Sequence, residues 1–503
     1  MADEAVKTEV TEVPERDLST DYQYHLTSLG NSERFILRHG PNVRYCAEGE
    51  TWLYWNGKRW AYDTAGKMKQ RAKDTIKAMF DSLKDMDSGE ERDKVYKWIK
   101  RSETNGQLEE MLKLAATDPN LVVQPSELDA QPNLQCVGNG VVDLRSGELL
   151  TPKREWLLTR HTTTEYDPEA RCPEWEAFLE SATDGNKELV GFLQRAVGYS
   201  IQGSTKEEVI FVGHGPGGTG KSTFIEAVSR AIGDYQMTAN FSTFLKKDRV
   251  SGGPTEEIAR LNGARMVCSI EVDDGQKLAE GLVKQMTGGD VVAARFLYKG
   301  TFEYRPQMKL WLICNHVPHI QSDDDAMWRR LVRVPFVHKP AKPNLSLKAT
   351  LTSKPARRAV LAWAVRGAVE WYRHGLQIPE SVRLSTASLR DDMNPLKQFL
   401  DDCCVFEDGS LTSVQAMTGA YETWCKANGQ RFPLSSQNFN RNMQALGVQQ
   451  PKSPEYIQGR RTRCWKGIRL GLAESQIVRR VVVADSSPRL PQTPGIFFEE
   501  EVN

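Results

Sequence analysis

The run Gly215-Pro216-Gly217-Gly218-Thr219-Gly220-Lys221-Ser222 fills every fixed position of the phosphate-loop pattern G-x-x-x-x-G-K-[ST]. Such a loop works only between a strand and a helix, and its flanks provide both. Val209-Ile210-Phe211-Val212 is an apolar run of strand length, and Thr223 to Val228 opens a helix with apolar residues at helical spacing. Glycines let backbone N–H groups turn inward on phosphate oxygens, where the helix N-terminus adds positive potential. Lys221 can then reach the outer phosphates, and the Ser222 hydroxyl can ligate Mg²⁺. Residues Gly215 through Thr223 therefore predict an α/β domain that binds a nucleoside triphosphate, ATP with Mg²⁺.

One such domain does not fill 503 residues, and the length suggests about three to four domains. The formal charge is zero, which excludes a uniformly basic coat but not a basic lining inside a channel. No apolar run approaches the roughly 18 residues of a membrane span. The N-terminal MADEAVKTEVTEVPERD lacks the basic-then-apolar order of a signal peptide. Nine cysteines without a C-x-x-C pair suggest neither a disulfide framework nor a zinc site, so a reducing cytoplasm is expected.

Composition divides the chain further. Residues 1–20 read as a disordered acidic tail and 21–130 as a mixed α+β module. In that module Asn56-Gly57 marks a hairpin turn inside the aromatic run Trp52 to Trp60. Trp interleaved with Lys and Arg suits base stacking, but cross-strand core packing is the simpler expectation. The stretch 105–132 reads as polar and connecting. A segment at 131–205 precedes the ATPase, with a turn at Asn139-Gly140 and one helical stripe from Trp175 to Gly198. The ATPase core is expected at 206–340, a helical lid at 341–392, a small domain at 393–472 and a flexible tail at 473–503. The tail ends in Ile496-Phe497-Phe498 beside acids, a pattern through which a replication partner could dock.

The features that decide which ATPase this is lie downstream of the loop. Arg265 to Ile270 is an apolar strand that runs into Glu271 and Asp273, either of which could hold the Mg²⁺ shell or polarise the attacking water. A further strand, Met308 to Cys314, ends on Asn315, whose amide can hydrogen-bond the γ-phosphate or the water. Beyond it stand Arg329 and Arg330, either able to act as a finger on a neighbouring subunit's γ-phosphate. Gly288-Gly289 ends a helix, and the β-prone runs around Lys299-Gly300 read as a hairpin whose apex carries Tyr298 and Lys299. A ring beside a cation suits stacking on bases and pairing with phosphates. Arg460, Arg461, Arg463 and Lys466 form a second basic run, suited to DNA phosphates.

This order of motifs resembles the superfamily 3 helicases, and more narrowly the phage and plasmid primase-helicase family, relatives of poxvirus replicative NTPases. The likeness extends to Asn139 to Leu149, to Cys172-Pro173-Glu174-Trp175, to Gly198-Tyr199 and to the Trp-rich hairpin. It implies an AAA+-like ATPase core, the N-terminal module and a C-terminal winged-helix domain over 393–472, assembled as a ring, usually hexameric. It implies Lys221, Ser222, Glu271 and Asn315 at the nucleotide and Arg330, or failing that Arg329, completing the neighbour's site. Lys299, with Tyr298 and Arg295, would line the pore and move one strand of single-stranded or forked DNA 3′ to 5′. The implied activity is ATP-dependent DNA unwinding for phage, prophage or plasmid replication in a bacterial cytoplasm. The alternative is an ATP-switched origin-binding or loading protein without processive unwinding. Family members often carry two adjacent acids after the second strand; here Ile270 precedes Glu271, so the division of roles between Glu271 and Asp273 stays open. Too few residues precede Asn139 for the primase-polymerase domain that many members add.

Overall fold

The computed structural model describes residues 24–246, 256–270, 277–295, 301–315, 317–318, 320, 325–340, 342, 344–428, 433–457 and 459–471. The two tails, Glu271, Asp273, Tyr298 and Lys299 lie outside the described residues. The chain divides into two compact units that part between Arg383 and Leu384.

The first unit opens with α1 (Ser28–His39), β1 (Val43–Cys46), β2 (Thr51–Trp55), β3 (Trp60–Tyr62), α2 (Lys67–Ser82), α3 (Glu90–Ser102), α4 (Asn105–Ala115) and β4 (Val122–Val123). The strands form one sheet in the order β3-β2-β1-β4. The turn between β2 and β3 falls where Asn56-Gly57 predicts it: Asn56 Oδ1 accepts the Lys58 and Arg59 amides at 3.0 and 2.9 Å, and Gly57 takes φ 94°. Trp60 is fully buried, its indole N–H donating to Arg154 O at 2.8 Å, so the aromatics of this hairpin serve the core. One expectation fails here. The stretch 105–132 is not simply connecting, because α4 buries Leu108, Met111 and Ala115 on one face.

Next come β5 (Leu134–Val137), β6 (Gly140–Asp143), β7 (Glu148–Leu150), α5 (Pro173–Ala182) and α6 (Lys187–Ser200). The single helical stripe expected from Trp175 to Gly198 is broken. Asp184 and Gly185 take φ of 54° and 71°, and Asn186 restarts the helix by capping Leu189 N at 3.0 Å.

The core follows as β8 (Ile210–His214), α7 (Lys221–Ile232), β9 (Gln236–Thr238), α8 (Glu256–Arg260), β10 (Met266–Ile270), α9 (Glu280–Gly288), β11 (Val292–Arg295), β12 (Thr301–Tyr304), β13 (Lys309–Cys314), α10 (Asp325–Trp328) and β14 (Leu331–Pro335). Five strands form a sheet in the order β14-β8-β13-β10-β9, every neighbouring pair parallel. The central strands are apolar almost throughout, as a sheet covered on both faces requires. Cys268 and Cys314 lie inside it, their thiols pushed up to about 12 by burial.

After α11 (Leu347–Leu351), α12 (Lys354–His374) packs back onto α6 and α7, and Trp363 meets Trp175 and Phe224 edge-on. The region before the core is stitched to it by buried cations: Arg265 donates to Ile201 O and Gln131 O, and Lys309 to the carbonyls of Gln202, Ser204 and Gln307.

Helix α13 (Glu380–Asp392) spans the division. The second unit continues with α14 (Pro395–Cys403), β15 (Cys404–Ser413), α15 (Val414–Ala427), α16 (Ser436–Ala445), β16 (Glu455–Ile457), β17 (Arg460–Thr462) and β18 (Cys464–Leu470). Its core gathers Phe399, Tyr421, Trp424, Phe439 and Trp465 between three helices and the antiparallel β15–β18 pair.

Candidate nucleotide and nucleic-acid sites

Strand β8 delivers the chain at the carboxyl edge of the sheet, where the glycines turn it into α7. Gly218 and Gly220 take φ of 85° and 90°, which L side chains rarely adopt. Thr219 is buried and donates to Pro216 O at 3.0 Å, closing the loop on itself. Pro216, Gly217, Gly218 and Ser222 are exposed, and Ser222 stands in the first turn of α7. Lys221 is buried, and its ammonium donates to the carbonyls of Gly215 and Pro216 at 2.5 and 2.8 Å. Desolvation lowers its pKa. An anion seated on the loop would take that ammonium over from the carbonyls.

The residues fit a magnesium nucleotide. Among the described residues no cluster of three or more His, Cys, Asp or Glu could hold a metal by itself. Mg²⁺ at such loops needs none: one hydroxyl, phosphate oxygens and waters complete its octahedron, and Ser222 offers that hydroxyl.

Asn315 follows directly on β13, which pairs with β8 so that Cys314 lies opposite His214. The amide therefore emerges beside the start of the loop and is exposed. On the other side of β13, Ile270 ends β10 opposite Ile313, at the same carboxyl edge.

The two arginines sit elsewhere. β14 runs parallel to β8 with Leu331 opposite Ile210, so Arg329 and Arg330 precede it at the amino edge, away from their own chain's loop. Of the two, the sequence reading prefers Arg330 and gives Arg329 as the alternative. Arg330 is buried, donating to Ala326 O at 2.9 Å and pairing with Glu208, whereas Arg329 is exposed. A guanidinium committed to an internal carboxylate gives up that pair before it can serve a neighbour.

β11 and β12 pair as the expected hairpin, Arg295 opposite Thr301, with Arg295 exposed on the last rung. Helix α9 ends at Gly288 and is capped by Gly289 at φ 76°. In the second unit, β16 and β17 form a hairpin that exposes Arg460 and Arg461. Arg463 and Lys466 are exposed as well, and nearby Arg469, also exposed, pairs with Glu407. Tyr456 stands opposite Arg461 and is 72% exposed, an aromatic the charge pattern alone does not single out.

A cavity of about 770 Å³ lies apart from the phosphate loop, lined by Tyr62, Asp129, Arg160, Met237 and Phe302 among others. Its arginines and acids balance, and Asp129 already accepts from Thr159 and Arg160.

Three stretches of the chain match known families. Residues 32–184 match a D5 N-terminal-like family, 213–330 a family of unknown function, and 391–463 a poxvirus D5 protein-like family. The chain thus carries D5-like segments on both sides of the stretch that holds the phosphate loop. Among relatives, a protein of Acanthamoeba polyphaga mimivirus with a provisional helicase name, L207/L206, is 26% identical over 348 residues, 64% of this chain. A similarly named protein of Frog virus 3, 022R, is 27% identical over 259 residues, 47% of the chain. The D5-like chain spans only 36% and 26% of those proteins. Among solved structures, the apo C-terminal region of NrS-1 is similar at a TM-score of 0.46 and 10% identity, over 88% of this chain and all of that one. Among the described residues no helix is long and apolar enough to cross a membrane.

Proposed function

We propose that this D5-like protein is an ATP-dependent DNA helicase of the superfamily 3 type, working as a ring, with an AAA+-like core and a C-terminal winged-helix domain. The carrying observation is the phosphate loop at the carboxyl edge of an all-parallel sheet, with Asn315 emerging beside it and both arginines at the far edge. An arginine that cannot reach its own loop can act on a phosphate only at a neighbour's, which would make hydrolysis a property of the seam between subunits. In this reading Lys221 and Asn315 bind the phosphates, Ser222 and Glu271 or Asp273 hold Mg²⁺, and the latter pair share activation of water. Arg329 is the finger. The β11–β12 hairpin, with Arg295, Tyr298 and Lys299, grips one strand, and 3′ to 5′ movement follows from the family resemblance. The exposed Arg460, Arg461, Arg463 and Lys466 support a duplex contact in the second unit. The relatives come from viruses named for an amoeba, a frog and invertebrates, so replication of viral or mobile DNA is the better-supported setting than a bacterial host alone.

The test is unwinding of forked DNA with ATP and Mg²⁺. Lys299→Ala should lower unwinding at least about tenfold while most hydrolysis persists, since one phosphate-pairing cation at a moving contact is lost. A chain that unwinds no forked DNA but binds origin DNA, with that binding surviving Lys299→Ala and lost on substitution of 460–469, would favour the origin-binding alternative.

For the finger, mixing wild-type with Arg329→Ala chains should depress hydrolysis faster than the mutant fraction rises, because each mutant silences its neighbour's site. Activity that falls only in proportion to dilution places no arginine in trans.

A further inference from the structure

The segment after β14 lies over the phosphate loop. Phe336 N donates to His214 O at 2.7 Å, and Phe336 O is 1.8 Å from where a Cβ on Gly215 would stand, so only glycine permits the approach. Three residues on, the Lys339 side chain lies along the loop: its Cε, Cδ and Cγ are 3.3, 3.9 and 4.0 Å from a Cβ built on Gly218. On the other flank, the Phe178 ring comes within 2.8 Å of a Cβ built on Gly220. His338 Nδ1 approaches Asp184 Oδ1 at 3.3 Å, which ties the segment to the turn after α5.

These contacts set Lys339 apart from an ordinary surface lysine. Pro340 follows it and restricts its backbone to extended conformations, so the direction of the side chain is partly fixed. The loop motif leaves position 218 open; glycine there both takes φ 85° and clears the space that the Lys339 stem occupies. Lys339 is exposed, as are Pro216, Gly217 and Gly218, so its stem crosses the loop on an open side. Lys221, by contrast, is buried and held by loop carbonyls. A magnesium triphosphate carries more negative charge than Lys221 alone offsets, which leaves a place for a second cation.

We propose that Lys339 is a second phosphate-binding cation, supplied by the same chain and contacting the β- or γ-phosphate of the bound nucleotide. The inference rests on the nucleotide site proposed above. It makes the lysine a sensor of phosphate number: a triphosphate engages it, and a monophosphate does not reach it.

Calorimetric titration of the full chain with Mg²⁺ and a non-hydrolysable ATP analogue, ADP or AMP tests this. Lys339→Ala should weaken the triphosphate analogue by about 10- to 100-fold, the usual worth of one charge-assisted contact, and leave AMP unchanged. Lys339→Arg should recover most of the loss. An exposed lysine tolerates these changes, and an unaltered melting temperature shows that the variants are folded. Equal weakening of all three nucleotides, or no weakening of the triphosphate, overturns the role of Lys339 while leaving the loop intact. A wild-type chain that binds no triphosphate overturns the nucleotide site itself.

Discussion

Replacement of Lys221 by alanine abolishes ATP hydrolysis, with turnover expected to fall at least about 100- to 1,000-fold, the loss seen when one preorganised charge is removed from a developing oxyanion. The expectation is large because Lys339, on the exposed side of the loop, cannot take the buried position that Lys221 fills. The ammonium is buried at the foot of the loop, already desolvated, and directed by two carbonyls into the turn that the phosphates would occupy. Its desolvation is an expense of the free protein that a bound anion relieves. The folded state should tolerate the change: two bonds to loop carbonyls are lost, but so is the burden of a buried cation, and the net effect is within about 1 kcal/mol. Phosphate release and a thermal melt on the same preparation separate these effects. Wild-type turnover in Lys221→Ala would remove the nucleotide from this site altogether.

The phosphate loop was legible in the sequence because its chemistry fixes residue types at fixed spacing, and because strand and helix must flank it. The same holds for the turn at Asn56-Gly57, the helix end at Gly288-Gly289 and Asn315 at the end of a strand, where local backbone demands leave few choices. What was not legible depends on partners far away in the chain. Arg329 and Arg330 are adjacent and alike; that Arg330 is the buried one goes with its partners Glu208 and Ala326 O, which the sequence does not place beside it. Helix α4 was hidden because Leu108, Met111 and Ala115 sit among acids, amides and lysines, and their helical spacing is short. The break between α5 and α6 is carried by Asp184 and Gly185 alone, inside an otherwise continuous apolar stripe. Strand β15 shows no clear alternation, since half of Cys404–Ser413 is exposed and its ladder partner is the distant β18. Lys339 gave no signal at all. A lone lysine before a proline acquires meaning only when the fold lays it across Gly218.

Gly198→Ala should unfold the first unit readily, because it drives backbone into backbone. A Cβ on Gly198 would stand 2.1 Å from both Ala368 N and Gly367 C, and a Cβ on Gly367 would stand 2.0 Å from Gln194 O. Helices α6 and α12 therefore meet main chain to main chain, and no rotamer change relieves the clash; the helices must separate. Separation reaches far. Trp363 and Val365 of α12, Phe192 and Val197 of α6, and Phe224 of α7 belong to one continuous core beneath the sheet. A cost of about 3–5 kcal/mol is expected, near the upper end for a single substitution, with a fall in melting temperature on the order of 10 °C. Gly106→Ala is the internal comparison: its Cβ meets nothing within 4 Å on the exposed side of α4, so stability should hold or rise by up to about 1 kcal/mol. Because α7 shares the core with α12, nucleotide binding in Gly198→Ala should disappear together with the fold, at the temperature where the unit melts. Lys221→Ala should behave oppositely, losing hydrolysis while the melt stays put. A Gly198→Ala chain that melts with the wild type would mean that α6 and α12 do not touch in this way.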